Sequence, residues 1–461
     1  MLSTIQKRLQ SLISPQAAYE PVTTDPDAPD SEGTRLSGHH QGRHVYLCFW
    51  VLGAGVLLPW NALMCTFPFL ISLIEDGPLR SSLPSYLSST FCFANLLFLG
   101  IAQRTVTSVN PIRRIRWTLL LLLAACIVLA YPILPSVVPS LAKGSAGARA
   151  MFLPLLILLT LVLALATSYL QSAVIALASL WGSREMQGVM SGQGGIAVLV
   201  SGSQVVLALL SSSEKQESST GAAFSLWALA AAFVVVCLLA LNRLIRNPAI
   251  TEVLAPVMSR TTGAADRAKD VRVTQNVANK NLSIEFAVMF VFVVTLAVFP
   301  PITTTITSVV KSPPKILQPA TFIAIHFFLF NVGDYSGRTF LPSIGLRSMT
   351  IPRLVALSLA RVVFVPLFLF CNIPARAKGE LPAFPDVIYW LILLLFGLTN
   401  GWISTLCMMF ASSPDLNPAI AEDEKDIAGT LAAFSLVTGL AIGSLCSFGV
   451  SHAISGTYFG G

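Results

Sequence analysis

Apolar runs of about twenty residues recur from Val45 almost to the end of the chain, each long enough to cross the ~30 Å hydrocarbon core of a bilayer as a helix. Of the 461 residues 54% are hydrophobic and only 11% charged, whereas soluble domains carry about 25% charged residues. Inside hydrocarbon every backbone polar group must be satisfied within the protein, so such runs are helical. The sequence therefore predicts an all-α polytopic membrane protein. Eleven spans are expected, near 45–73, 83–102, 117–139, 151–181, 187–210, 222–242, 284–310, 317–341, 351–373, 385–411 and 427–451.

The net charge of +7 is not a nucleic-acid signal, because Lys and Arg cluster between the apolar runs. With the N-terminus placed in the cytosol, nineteen of them fall in inside segments and eight in outside segments; Arg338 and Arg361 stay within spans. That bias predicts a cytosolic N-terminus and, with an odd span count, an extracytosolic C-terminus. No cleavable signal peptide is evident, so the first span is expected to act as its own anchor.

Residues 1–44 form a polar tail, rich in Pro, Ser, Gly and Asp over 21–38, where disorder is expected. Residues 45–242 hold six spans, 243–283 a polar stretch read as a cytosolic linker loop, and 284–461 five spans. Two helical bundles joined by a linker, with polar residues turned inward, suit an alternating-access transporter. The eight Cys lie almost all inside apolar runs without a CxxC pair, and read as small buried hydrophobes. No metal or cofactor is implied. Neither HExxH nor GxGD occurs, which speaks against an enzyme, and eleven spans speak against a seven-span receptor.

The eighth run, Phe327-Phe328-Leu329-Phe330-Asn331-Val332-Gly333-Asp334-Tyr335-Ser336-Gly337-Arg338, carries Asn331, Asp334 and Arg338. A charge near the bilayer centre costs about 3 kcal/mol on insertion scales. Asp334 and Arg338 are four apart and share a helix face, which must look into protein or a wet cavity. Asp334 is read as the one acidic residue well inside a span. A structural ion pair is the alternative, but such pairs are often replaceable by apolar residues without loss. The first run holds Gly53-Ala54-Gly55 and Pro59-Trp60-Asn61 with Met64; the fourth holds Gln171; the fifth opens Met190-Ser191-Gly192-Gln193-Gly194-Gly195, where close helix packing is expected. Arg361 is expected to snorkel or hold a loop, and His326 to be a satisfied buried histidine. The tenth run contains Asn400-Gly401-Trp402 and the eleventh a GxxxG face at Gly439 and Gly443. The only N-x-S/T site, Asn281-Leu282-Ser283, lies on the side assigned to the cytosol.

Taken in order, these pieces resemble the equilibrative nucleoside transporter family from about Val45 to Phe448. They are Pro59-Trp60-Asn61, Gln171 with Met190-Ser191-Gly192-Gln193-Gly194, Phe330-Asn331…Asp334…Gly337-Arg338, Arg361…Phe364-Val365-Pro366…Cys371-Asn372, Asn400-Gly401-Trp402, and Ala428-Gly429…Gly439-Leu440…Gly443-Ser444. The resemblance implies eleven spans in a major-facilitator-like six-plus-five arrangement, and passage of purine and pyrimidine nucleosides, with nucleobases as further candidates. It implies that Trp60, Asn61, Met64 and Gln171 line the central site and that Asp334 and Arg338, beside Asn331, serve the ribose hydroxyls. Nucleosides and the lipid bilayer are the expected partners, protons a candidate coupling ion, and a sugar or drug carrier of the facilitator class the runner-up. The loop at 74–82 is short, where many family members carry a long glycosylated one, so a plasma-membrane and a vacuolar or lysosomal address stay open.

Overall fold

In the computed structural model of the chain, the described residues are 32–74, 78–106, 109–210, 220–261, 267–300, 302–373 and 384–455. The major helices are α1 (Glu32–Ser72), α2 (Pro78–Gln103), α3 (Pro111–Val128), α4 (Ala146–Trp181), α5 (Ser183–Leu210), α6 (Thr220–Ile245), α7 (Arg267–Val298), α8 (Pro319–Thr339), α9 (Ile351–Ala360), α10 (Asp386–Ser412) and α11 (Lys425–Ser455). Among the described residues ten of these are long and apolar enough to cross a membrane, α9 being counted with its continuation to Leu369. The exception is α8, 21 residues long, whose apolar character is diluted by His326, Asn331, Asp334 and Arg338.

Local chemistry sets several boundaries. Asn110 caps α3, its side chain accepting from the Ile112 N–H at 2.9 Å, with Pro111 in the first turn. Beyond Val128 the third run widens into π-helical turns over Leu129–Val137 and tightens again at Val138–Ala142. Pro132, Pro135 and Pro139 supply no backbone N–H, which removes bonds from the α ladder there. Between α4 and α5 the chain turns on Gly182 at φ 145°, a backbone region that side chains rarely adopt. Its N–H still donates to the Ala178 carbonyl at 3.0 Å. This sharp turn sets the register of the polar start of α5.

The stretch 243–283 departs from the loop expected of it. Its described part is largely helical: α6 runs on to Ile245, Ile250–Thr261 forms a short helix, and α7 begins at Arg267. Ile250, Leu254 and Val257 recur at helical spacing and make one apolar face; Leu254 and Val257 are buried. Val277 packs with Ala176, Ile427 and Ala428. The tail expected to be disordered lies outside the described residues up to 31, and the chain is already helical from Glu32.

From Ala166 to Leu180 helix α4 is buried on every side but Tyr169, so it runs through the middle of the bundle. Around it helices approach through glycines. A Cβ on Gly439 or Gly443 of α11 would meet the backbone carbonyls of Met289 or Val293 on α7. Helix α5 lies between α1 and α8. Gly192 and Gly195 sit against Trp50 of α1, while a Cβ on Gly194 would stand 3.1 Å from the Tyr335 Cα of α8. The expectation of close packing for this glycine run therefore holds on two sides.

Asn281 is 1% exposed, so its side chain is closed to a glycan. Its amide donates to the Ala411 carbonyl at the end of α10 at 2.8 Å and accepts from Asn417 at 2.7 Å. Removing it strands two buried groups, at about 1–3 kcal/mol. Asn281→Ala is expected to lower the Tm of the purified protein in detergent; an unchanged Tm would show that these bonds contribute nothing.

Candidate functional site

The polar face foreseen on the eighth run is present and sealed. Asp334 and Arg338 on α8 are each 5% exposed. Arg338 Nε donates to Asp334 Oδ2 at 2.7 Å, one helical turn apart. The second oxygen, Oδ1, accepts from the Asn400 amide of α10 at 2.7 Å. Arg338 Nη1 reaches across to α5, where it donates to the Met190 carbonyl at 3.4 Å. Its Nη2 makes no bond to protein among the described residues. A carboxylate offers about four acceptor positions and a guanidinium five donors. The pair therefore keeps acceptors and donors beyond those the fold uses.

Behind Asp334 stands a second arginine. Arg361, 2% exposed, does not snorkel as the sequence suggested. Its Nη1 donates to the Phe396 carbonyl at 3.1 Å and to Thr399 Oγ1 at 2.6 Å. Nη2 donates to Thr295 Oγ1 of α7 at 2.8 Å and approaches Asn400 Oδ1 at 3.4 Å. The guanidinium also sits 4.6 Å from the Phe396 ring centroid. Its position near a span end is what misled: contacts at 2.6–3.4 Å to acceptors on two neighbouring helices replace water. Thr295 and Asn400 completed the cluster without any signal beyond being polar in apolar runs.

Helices α8 and α10 hold this cluster through interlocked glycines. A Cβ on Gly401 would collide with the Asp334 carbonyl and stand 3.0 Å from the Arg338 amide; one on Gly337 would stand 2.7 Å from the Trp402 amide. Backbone contact this close is what lets the Asn400 side chain reach Asp334.

The end of α8 is tied to α5 by more than Met190. Gln187 Nε2 donates to the carbonyls of Arg338 and Thr339 at 3.2 and 2.9 Å. Ser191 Oγ donates to the Arg338 carbonyl at 3.3 Å. The last carbonyls of a helix have no partner within it, and these side chains supply one from the N-terminal half of the chain. Further along the same face Asn331 donates to the Ala197 carbonyl at 3.3 Å.

The remaining candidates lie apart from this cluster. On α1, Trp60 packs on Phe91 of α2 with ring centroids 4.8 Å apart. Asn61 turns back to the Leu57 carbonyl of its own helix at 2.9 Å. Met64 is half-buried. Gln171 is buried in α4 at 6%. Among the described residues no hydrogen bond or ring contact joins these four to Asp334 or Arg338. Beside Gln171 the structure shows a group the sequence reading counted as a loop charge. Arg114 is buried, donates to the carbonyls of Ala102 and Thr105 at 3.2 and 2.9 Å, and lies 5.6 Å from the Tyr169 ring. His326 is buried as expected, with Nε2 2.7 Å from Thr303 Oγ1, but its buried Nδ1 has no hydrogen-bond partner among the described residues. Asp334 is not the only acid within a span: Glu285 on α7 is half-buried and accepts from Ser435 Oγ at 3.4 Å.

A family model described as "Nucleoside transporter" matches residues 255–452. Equilibrative nucleoside transporter 1 of Homo sapiens is 28% identical over 461 residues, covering 88% of this chain and 96% of that protein. Over most of its length the chain is similar to equilibrative nucleoside transporters. Nucleoside transporter FUN26 of Saccharomyces cerevisiae is 27% identical, with 87% of this chain and 83% of that protein covered. In fold the chain is similar to the major facilitator superfamily proton:xylose symporter XylE bound to 6-bromo-6-deoxy-D-glucose. The TM-score is 0.53 at 10% identity, covering 87% of this chain and 86% of that one. These relatives are named as transporters.

Proposed function

We propose that this protein carries nucleosides across a membrane by alternating access, with Asp334 and Arg338 reading the sugar. The observation that carries the reading is a buried Asp334–Arg338 pair with acceptors and donors to spare, in a chain whose relatives over nearly their whole length are nucleoside transporters. A nucleoside joins a flat base to a polyhydroxyl sugar. Sugar hydroxyls can donate to Asp334 and accept from Arg338. Trp60 and Met64 offer apolar contact to the base, and Gln171 can both donate and accept at its edge. In this reading α8 also spans and brings the count to eleven, so six spans precede and five follow the segment at 243–283, with the N-terminus cytosolic and the C-terminus opposite. The address is the plasma membrane or a vacuolar or lysosomal membrane, with protons a candidate coupling ion. Support comes from the distribution of Lys and Arg and from the likeness in fold to a major facilitator protein.

Hydrogen bonds to a charged group contribute about 1.5–3 kcal/mol each, so a missing hydroxyl should weaken binding roughly ten- to a hundredfold. Uridine and adenosine are expected to inhibit labelled-uridine uptake with similar potency, and 2′,3′-dideoxyuridine and free ribose poorly. Equal inhibition by uridine and dideoxyuridine would remove Asp334 and Arg338 from sugar recognition.

A further inference from the structure

Asn400 has a choice that its surroundings make for it. An amide side chain presents an acceptor at one end and donors at the other, and the two ends are nearly the same shape. Its Oδ1 faces Thr295 Oγ1 at 2.7 Å and Arg361 Nη2 at 3.4 Å. Arg361 can only donate, so it holds the acceptor end of Asn400 toward itself. Thr295 accepts from Arg361 at 2.8 Å, and its single hydroxyl proton is shared between the Val291 carbonyl of its own helix at 2.8 Å and Asn400 Oδ1 at 2.7 Å. The donor end of Asn400 is then left to face Asp334 Oδ1 at 2.7 Å. Thr295, Asn400 and Asp334 are all 5% exposed or less, so water does not compete freely for these bonds.

We propose that Arg361, Thr295 and Asn400 form a positioning unit for Asp334: by fixing the Asn400 amide as a donor they hold the carboxylate in the orientation that reads sugar hydroxyls. The inference rests on the nucleoside reading above and adds to it three residues from α7, α10 and the turn after α9. None of the three needs to touch the substrate. With Arg338 on Oδ2 and Asn400 on Oδ1, rotation of the carboxylate about its last bond is blocked from both sides, and the acceptor positions that remain point in fixed directions. Without Thr295 or Arg361 the Oδ1 end of the amide loses its braces, and the donor it offers Asp334 is no longer held in one position. A structural role alone, four polar groups locking neighbouring helices, predicts a loss of folded protein. A positioning role predicts a loss of discrimination between sugars in the protein that does fold.

The test is a competition ratio, which does not depend on how much protein inserts. Labelled-uridine uptake by proteoliposomes is inhibited with unlabelled uridine and with 2′,3′-dideoxyuridine, for wild type and for Thr295→Val, Thr295→Ser, Asn400→Ala and Arg361→Lys. Val is close to Thr in shape and lacks only the hydroxyl; Ser restores it; Lys keeps the charge of Arg361 without its planar fork. The expected result is a roughly ten- to hundredfold preference for uridine in wild type and in Thr295→Ser. In Thr295→Val, Asn400→Ala and Arg361→Lys the preference should fall to about threefold or less. If wild type discriminates and Thr295→Val and Asn400→Ala discriminate equally well, the positioning unit is overturned while the nucleoside reading stands. If wild type itself shows no preference, the sugar-reading role of Asp334 falls, and this inference with it.

Discussion

Arg338→Ala is expected to cut uptake of labelled uridine by at least about a hundredfold, while the protein still reaches the membrane and elutes as a folded species. Two losses act together. The donors that the substrate uses disappear, each charge-assisted bond contributing about 1.5–3 kcal/mol. Asp334 also loses its one directly bonded cation, leaving the Asn400 amide as its hydrogen-bond partner, and breaking a buried pair by removing one partner costs about 3–5 kcal/mol. The α5 contact goes as well, since Arg338 Nη1 no longer reaches the Met190 carbonyl. Arg338→Lys should recover little, because a single ammonium cannot hold Asp334 and the Met190 carbonyl in one fork. Uptake normalised to membrane-inserted protein decides it, and near-normal transport by Arg338→Ala would make the pair a structural lock and place the site elsewhere.

Gly401→Ala is expected to have an effect of similar size by a different route. The added methyl would collide with the Asp334 carbonyl and crowd the Arg338 amide at 3.0 Å. Its neighbours are backbone, so no side chain can rotate away, and α8 must move off α10. Overpacking a buried contact costs about 1–3 kcal/mol. The shift also lengthens the 2.7 Å bond from Asn400 to Asp334. Uptake should fall at least about tenfold, with a lower Tm. Gly147→Ala in α4 is the control, since a Cβ there meets nothing within 4 Å, and it should behave as wild type. Normal uptake by Gly401→Ala would show that the close α8–α10 contact is not needed for the site.

The spans and the pair on α8 were legible because each rests on a property that one residue or one run carries alone. Apolar length implies a helix in a bilayer, and two charges four apart imply a shared face turned from lipid. Asn400, Thr295 and Arg361 were not legible as a unit, because their meaning lies in a meeting of α7, α10 and the turn after α9. Arg361 shows why: near a span end an arginine that snorkels and one that is buried look the same until its four acceptors are seen. The helix Ile250–Thr261 was hidden by its polar residues, although Leu254 and Val257 carried its buried face. In the third run the three prolines were visible, but whether they end a helix or widen it depends on packing against α6. Asn61 reads as a polar group aimed at a cavity, yet its own helix takes up the amide at the Leu57 carbonyl.

The most direct test of nucleoside transport is uptake of labelled uridine and adenosine by the purified full chain in liposomes, with and without a pH gradient, beside protein-free liposomes. Saturable uptake of both, inhibited by each other and lost in Arg338→Ala, is the predicted result. Uptake no faster than in protein-free liposomes, under both conditions and for both nucleosides, would contradict it.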